Sequence, residues 1–279
     1  MASYTVLLST ARIDDPAVRE IEAALTSRLR DDLGADVLVV PDLYDLQQDD
    51  PALEAVRSVR GPLIVLAWMY PRAVYWRLVR AGVEGPRVDA RAALPETGPR
   101  AIAPVDMRGA CCADGIIERV AAFTAPAAPP QAGTVTRFDR AVAERWYPVI
   151  DEDRCVNCLE CLEFCLFGVY DEDGDGRPVV ADPDRCKPGC PACARVCPEQ
   201  AIIFPRHPTT PAIAGADEGD IEPLSAETVR RDGIIKQCAD AAARYVRAGR
   251  ACACAGPDGE CRPFDPLDRA IDELDAGEV

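Results

Sequence analysis

CVNCLECLEFC, residues 155–165, sets four cysteines at spacings of two, two and three. A second stretch, CKPGCPACARVCP at 186–198, sets four more at spacings of three, two and three. Eight of the fourteen cysteines therefore fall between Cys155 and Cys197. A cube of four irons needs one thiolate at each iron. Three closely spaced cysteines on a tight loop can reach three corners, and the fourth, facing away, needs a remote cysteine. Four-thiolate zinc sites also use C-x2-C pairs. Zinc gives no reason for third and fourth cysteines at such regular offsets, so the spacing favours iron–sulfur chemistry.

The two runs resemble the bacterial-type ferredoxins with two 4Fe–4S clusters. The resemblance covers residues 147–208, and CPEQAIIF (197–204) and CLFGVY (165–170) match the family's continuation into strands. It implies a pseudo-symmetric βαββαβ module, an α+β ferredoxin-like dicluster domain, that carries one electron per cluster at low potential. In the bacterial pattern the fourth cysteine of each run ligates the other cluster. That rule assigns Cys155, Cys158, Cys161 and Cys197 to the first cluster, and Cys186, Cys190, Cys193 and Cys165 to the second. Two departures stand out. Leu166 occupies the place of a customary proline, and Lys187-Pro188-Gly189 puts three residues where two are usual. Nearby acids, Glu160, Glu163 and Glu199, are expected to lower the cluster potentials.

Upstream, residues 1–123 alternate strand-like and helix-like segments. YTVLLST, ADVLVVPDL and PLIVLAWM read as strands, and RAIAPVD as a fourth that Pro104 either weakens or places at an edge. Asp15-Pro16 and Asp50-Pro51 carry helix-start chemistry, aspartate as cap and proline in the first turn. Val18, Ile21, Leu25 and Leu29 then recur at helical spacing, and Gly34 ends that helix. Further helices are expected from Pro71 and Asp114. The order predicts an α/β parallel-sheet domain, Rossmann- or flavodoxin-like, with helices on both faces. No G-x-G-x-x-G or P-loop lysine motif appears, and STARID lacks the phosphate loop expected of a flavodoxin.

Residues 124–146, which open on the Pro/Ala/Gly-rich TAPAAPPQAGT, read as a linker. Residues 209–279 read as loop followed by a helical C-terminal extension, with Cys238 on the apolar face of its helix.

Weaker constellations remain. The carboxyl edge of the expected sheet gathers Ser9, Thr10, Arg12, Trp68, Met69, Tyr70 and the vicinal Cys111 and Cys112, a candidate small-ligand or metal crevice. Cys252, Cys254 and Cys261, joined by Cys238 or by one of Cys111 and Cys112, would supply a third metal site. Asp171, Asp173, Asp175 and Gly176 match part of a calcium-loop template. Flanking helices are not expected there, so the stretch reads as an acidic hairpin turn. His207, the sole histidine, reads as a surface-loop residue that leaves little acid–base chemistry near neutral pH.

Acids outnumber bases 47 to 31, which argues against nucleic acid and favours a redox partner protein with a basic docking surface. The longest apolar run, Leu63 to Tyr70, is far short of the roughly 20 residues of a membrane helix, so no membrane span is expected. The start, MASYTVLLSTARIDD, has no basic region of an export signal, and a cytoplasmic location is expected. The sequence names no catalytic residue. It reads as an electron carrier or redox-enzyme subunit. One alternative is an oxidoreductase reducing a ligand in the α/β domain. Another is a non-catalytic iron–sulfur sensor or assembly factor.

Overall fold

The computed structural model describes residues 4–88, 100–123, 132–139, 142–219, 221, 223–225 and 228. In the first part, strands β1 (Thr5–Ser9), β2 (Asp36–Val40), β3 (Leu63–Ala67) and β4 (Ile102–Asp106) alternate with helices α1 (Pro16–Asp31), α2 (Pro51–Ser58), α3 (Pro71–Arg80) and α4 (Asp114–Ala122). The expected caps form: Asp15 accepts from the Ala17 N–H at 2.8 Å and Asp50 from the Ala52 N–H at 2.9 Å. Gly34 and Gly82 take the left-handed conformation, φ 62° and 77°, beyond the ends of α1 and α3.

All five strands of the sheet are parallel, in the order β4-β3-β1-β2-β5. The run 2-1-3-4 is the start of a flavodoxin-like order. Pro104 lies on the edge strand β4, opposite Val65, where its missing N–H costs no ladder bond. The fifth strand, β5 (Val135–Arg137), falls inside the stretch read as a linker and pairs with β2. The Asp36 carboxylate fixes its entry by accepting from both the backbone and the hydroxyl of Thr134.

Side chains alternate between two buried faces, as a parallel sheet covered on both sides requires. Val6 and Leu8 of β1, with Ile64 and Leu66 of β3, pack under Leu25 and Leu29 of α1 and Ile117 and Val120 of α4. Leu7, Leu63 and Val65 face the other way, against Leu53 and Val56 of α2 and Val74 and Leu78 of α3. This second core also takes in Tyr147, Val149 and Ile203, which belong to the cysteine-bearing part.

That part follows the expected βαββαβ order: β6 (Val149–Ile150), α5 (Glu160–Phe164), β7 (Tyr170–Glu172), β8 (Pro178–Val180), α6 (Ala192–Val196) and β9 (Ile202–Ile203). β6 pairs with β9 and β7 with β8, both antiparallel. The acidic stretch is the β7–β8 turn. One Asp173 oxygen accepts from the Asp175 and Arg177 N–H groups, so that carboxylate is turned onto its own backbone. A short helix, α7 (Pro211–Ala214), follows. Residues 229–279 of the C-terminal extension, with Cys238, Cys252, Cys254 and Cys261 and their expected third metal site, lie outside the described residues.

The two parts are joined through buried polar contacts. Arg72 of α3 pairs with Asp151 at 2.9 Å and donates to the carbonyls of Gln200 and Ala212, with both charged side chains almost fully buried. Tyr44 and Tyr147 stack with centroids 4.4 Å apart. Each hydroxyl bonds the other's backbone: Tyr44 Oη accepts from the Tyr147 N–H and donates to its carbonyl, and Tyr147 Oη donates to the Tyr44 carbonyl.

Candidate iron–sulfur centres

The eight cysteines separate into two groups in space. Cys155, Cys158, Cys161 and Cys197 line one cavity, together with Glu160 and Glu199. Cys165, Cys186, Cys190 and Cys193 line another, with Phe164, Leu166 and Tyr170. The exchange of fourth cysteines between the two runs follows from the fold. Helices α5 and α6 each start within the three-cysteine portion of a run and end against the fourth. Cys165 follows α5 and Cys197 follows α6 as C-caps, each donating its N–H one turn back, to Cys161 and Cys193. The two helices pack together, which carries each terminal cysteine to the other set.

The first run needs a tight loop. Asn157 and Leu159 both have left-handed backbone, φ 57° and 61°. For a leucine this conformation costs about 1–2 kcal/mol, and such strain persists where the surroundings fix it. In the second run Gly189 (φ 75°) precedes Cys190 as Asn157 precedes Cys158. The extra residue therefore lies before the shared turn, and Cys186 still reaches its cavity.

The electrostatics fit a cationic guest. Burial pushes the Cys161 thiol up to about 12, and the neighbouring Cys197, Cys155 and Cys158 add to the rise. Burial likewise raises Cys186 to about 12, with Cys190 and Cys165 contributing. Cys193 is raised by burial above all. Four crowded thiols cannot ionise together without compensating positive charge. Bound iron supplies that charge and deprotonates its ligands. Among the described residues, no three His, Cys, Asp or Glu side chains stand close enough to grip a single metal ion; each set of four instead rings a cavity.

Several donors address the sulfurs directly, among them one side chain and one backbone group at short distance. The buried Tyr170 hydroxyl lies 3.2 Å from Cys193 Sγ, and the Ala201 N–H donates to Cys197 Sγ at 3.3 Å. Sequence reading missed Tyr170, because it sits on a hairpin strand 23 positions before Cys193. Each set has two buried cysteines, Cys161 and Cys197 in one and Cys190 and Cys193 in the other, and Cys158 of the first set is exposed. Beside them Val156 and Leu166 are 60% and 73% exposed.

The sheet-edge crevice looks different from the sequence expectation. Ser9 Oγ accepts from the Leu43 N–H, Arg12 pairs with Asp45, and Met69 is core. Trp68 Nε1 donates to the buried Glu22. Arg206, from the cysteine-bearing part, donates to the Trp68 carbonyl and pairs with Asp42. The Arg108 guanidinium lies over the Tyr70 ring. Cys112 is a half-buried free thiol, and Cys111 is disulfide-bonded. The edge is thus occupied by the protein's own side chains. His207, expected at the surface, is half-buried. Its Nδ1 accepts from the Thr210 N–H at 3.1 Å, and burial lowers its pKa to about 4.

The fold thus joins a βαββαβ part with two four-cysteine cavities to an α/β domain. No family model matches the chain. An uncharacterised ferredoxin of Methanocaldococcus jannaschii is 51% identical over 61 residues, 22% of this chain and 41% of that protein. The pyruvate synthase subunit PorD of the same organism is 42% identical over 60 residues, 67% of its length. Ferredoxin-3 of a Nostoc species is 36% identical over 67 residues, 68% of its length. The chain belongs to the 4Fe–4S ferredoxin family, through a match of about 60 residues that covers 22% of its length and 41% of the first of these relatives. Among the described residues no helix is long and apolar enough to cross a membrane.

Proposed function

We propose that the chain carries single electrons through two 4Fe–4S clusters, to or from a redox partner protein. Cys155, Cys158, Cys161 and Cys197 would hold one cluster, and Cys165, Cys186, Cys190 and Cys193 the other. A bound 4Fe–4S cluster supplies reversible one-electron chemistry over a wide range of potentials.

The observation that carries this reading is the pair of four-cysteine cavities, each completed by the last cysteine of the opposite run. The regular offsets of eight cysteines favour clusters over zinc, which needs only four thiolates at one ion. The chain's own residues have three tasks. The left-handed turns and helix ends orient the thiols. Burial excludes water from Cys193 and Cys197. Tyr170 and the Ala201 N–H offer hydrogen bonds that offset negative charge on sulfur. Val156 and Leu166 offer apolar contact beside each set, and the net charge of −16 favours a partner with a basic face. The match to a pyruvate synthase subunit supports a place within an oxidoreductase assembly. The alternative of a substrate crevice in the α/β domain has less support, because Arg206, Arg12 and Trp68 are already engaged there.

Anaerobic iron and sulfide analysis with EPR after dithionite tests the proposal, and about eight irons with spectra of reduced 4Fe–4S centres are expected. Colourless material holding only zinc would overturn it. Clusters that resist reduction by low-potential donors would favour a sensor or assembly role.

A further inference from the structure

A third cavity, of about 250 Å³, lies where α3 and the Leu46–Gln48 segment of the α/β domain meet the cysteine-bearing part. Arg77 and Arg80 of α3 line it with Arg145, Tyr147, Pro183 and Asp184. Three guanidiniums and one carboxylate leave a surplus of two positive charges, in a chain whose net charge is −16.

The arginines are not neutralised by one another's partners. Arg145 takes Asp184, with Nε and Nη2 both near 2.9 Å of one oxygen, at 2.9 and 2.8 Å. Arg77 is 1% exposed and gives Nη2 to the Leu46 carbonyl at 2.7 Å, while its Nε and Nη1 have no partner among the described residues. Arg80 gives Nη1 to the Val180 carbonyl. Neither Arg77 nor Arg80 has a carboxylate partner among the described residues. Arg72, just over one turn earlier on the same helix and equally buried, has Asp151. Buried charges are ordinarily paired, so the buried Arg77 lacks the counter-ion that Arg72 has, and the half-buried Arg80 beside it adds a second unmatched charge. Burial above all lowers the Arg80 pKa, and the charges of Arg77 and Arg145 push the same way against the opposing effect of Tyr147 and Tyr44. The Tyr147 ring, 5.6 Å from the Arg80 guanidinium and 4.6 Å from that of Arg145, gives them an apolar wall without charge.

We propose that this cavity binds a small, doubly charged oxyanion, a phosphate or dicarboxylate group, held by Arg80 and Arg145, with the buried Arg77 guanidinium adding positive charge behind them. Guanidinium forks match the planar and tetrahedral oxygens of such groups, and an ammonium would not do so in two-point fashion. Gln47 and Gln48 complete the lining. Because the lining comes from both parts of the chain, an occupant would bridge the α/β domain to the segment just before Cys186.

Thermal unfolding of the full-length, iron-loaded protein is followed with inorganic phosphate and, separately, succinate, against chloride at matched ionic strength. A saturable rise in Tm with either oxyanion, absent with chloride, is expected. Arg80→Gln should weaken the apparent affinity at least about tenfold, the scale of one charge-assisted contact. Asp184→Asn, at an exposed position, should tighten it by raising the positive surplus. No rise beyond that with chloride overturns the proposal. An affinity unchanged by Asp184→Asn does so too, even if Arg80→Gln fails to fold. Iron content, measured on the same samples, separates this outcome from a failure of the cluster assignment.

Discussion

Asp151→Ala should be among the most damaging single substitutions outside the cysteines. Asp151 is 2% exposed and Arg72 is 2% exposed, so removing the carboxylate leaves a buried guanidinium charge without its partner. Breaking one side of a buried pair costs about 3–5 kcal/mol. Asp151 also accepts from the Asp153 and Arg154 N–H groups, so those donors lose their acceptor as well. For large single domains about 2–4 °C of Tm accompany each kcal/mol, so a fall of about 6–20 °C follows. Asp151→Asn retains an acceptor for Arg72 and for the backbone, and should fall clearly less. The assay is parallel melting of iron-loaded protein by far-ultraviolet dichroism and by visible cluster absorbance. Because Tyr147, Val149 and Ile203 share a core with α2 and α3, both signals should shift together. A change in Asp151→Ala below about 2 °C would refute the reasoning, since the buried pair would then contribute less than ~1 kcal/mol. Separated transitions would refute the shared core.

Tyr170→Phe removes the donor 3.2 Å from Cys193 Sγ. A hydrogen bond worth about 1.4 kcal/mol more in the reduced state shifts a one-electron potential by about 59 mV, so redox titration should show one centre more negative by tens of millivolts. Cys165→Ala and Cys197→Ala should each disturb a different centre, and EPR of the two variants should lose different signals; identical losses would break the exchanged assignment. His207 has a folded pKa near 4, below the unfolded value of 6.5. Its neutral form is the one the fold accepts, so its contribution to stability is complete above pH 6.5 and declines as pH falls toward 4. Denaturant midpoints of His207→Gln, whose side chain does not titrate, should fall less over that window than those of the parent.

The legible parts of the chain were those where local chemistry alone decides the outcome. Asp15-Pro16 and Asp50-Pro51 specify helix starts within four residues, and Pro104 selects a sheet edge because it lacks one hydrogen. The division of the eight thiols between two cavities follows the exchanged pattern that the ferredoxin resemblance implied, which spacing alone does not give. Strand β5 was not legible: it is three residues long and half exposed, so it shows no apolar run, and only the β2 edge makes Val135–Arg137 a strand. The arginines of α3 were equally silent. Arg72, Arg77 and Arg80 look like a solvated helix face until a second layer covers them. The Tyr170 hydroxyl and the seat of Arg206 depend on contacts between distant segments, for which no periodicity gives notice.

The reciprocal tyrosine pair has a practical corollary for anyone trimming the molecule. A fragment beginning at residue 147 would strip the neighbour from one flat ring face, expose the aliphatic undersides of Val149 and Ile203 to solvent, and strand the Gln200 and Ala212 carbonyls without the guanidinium that serves them. Unlike a small free-standing carrier, this unit comes with its pedestal, and protein engineering that needs the redox portion should keep the pedestal attached.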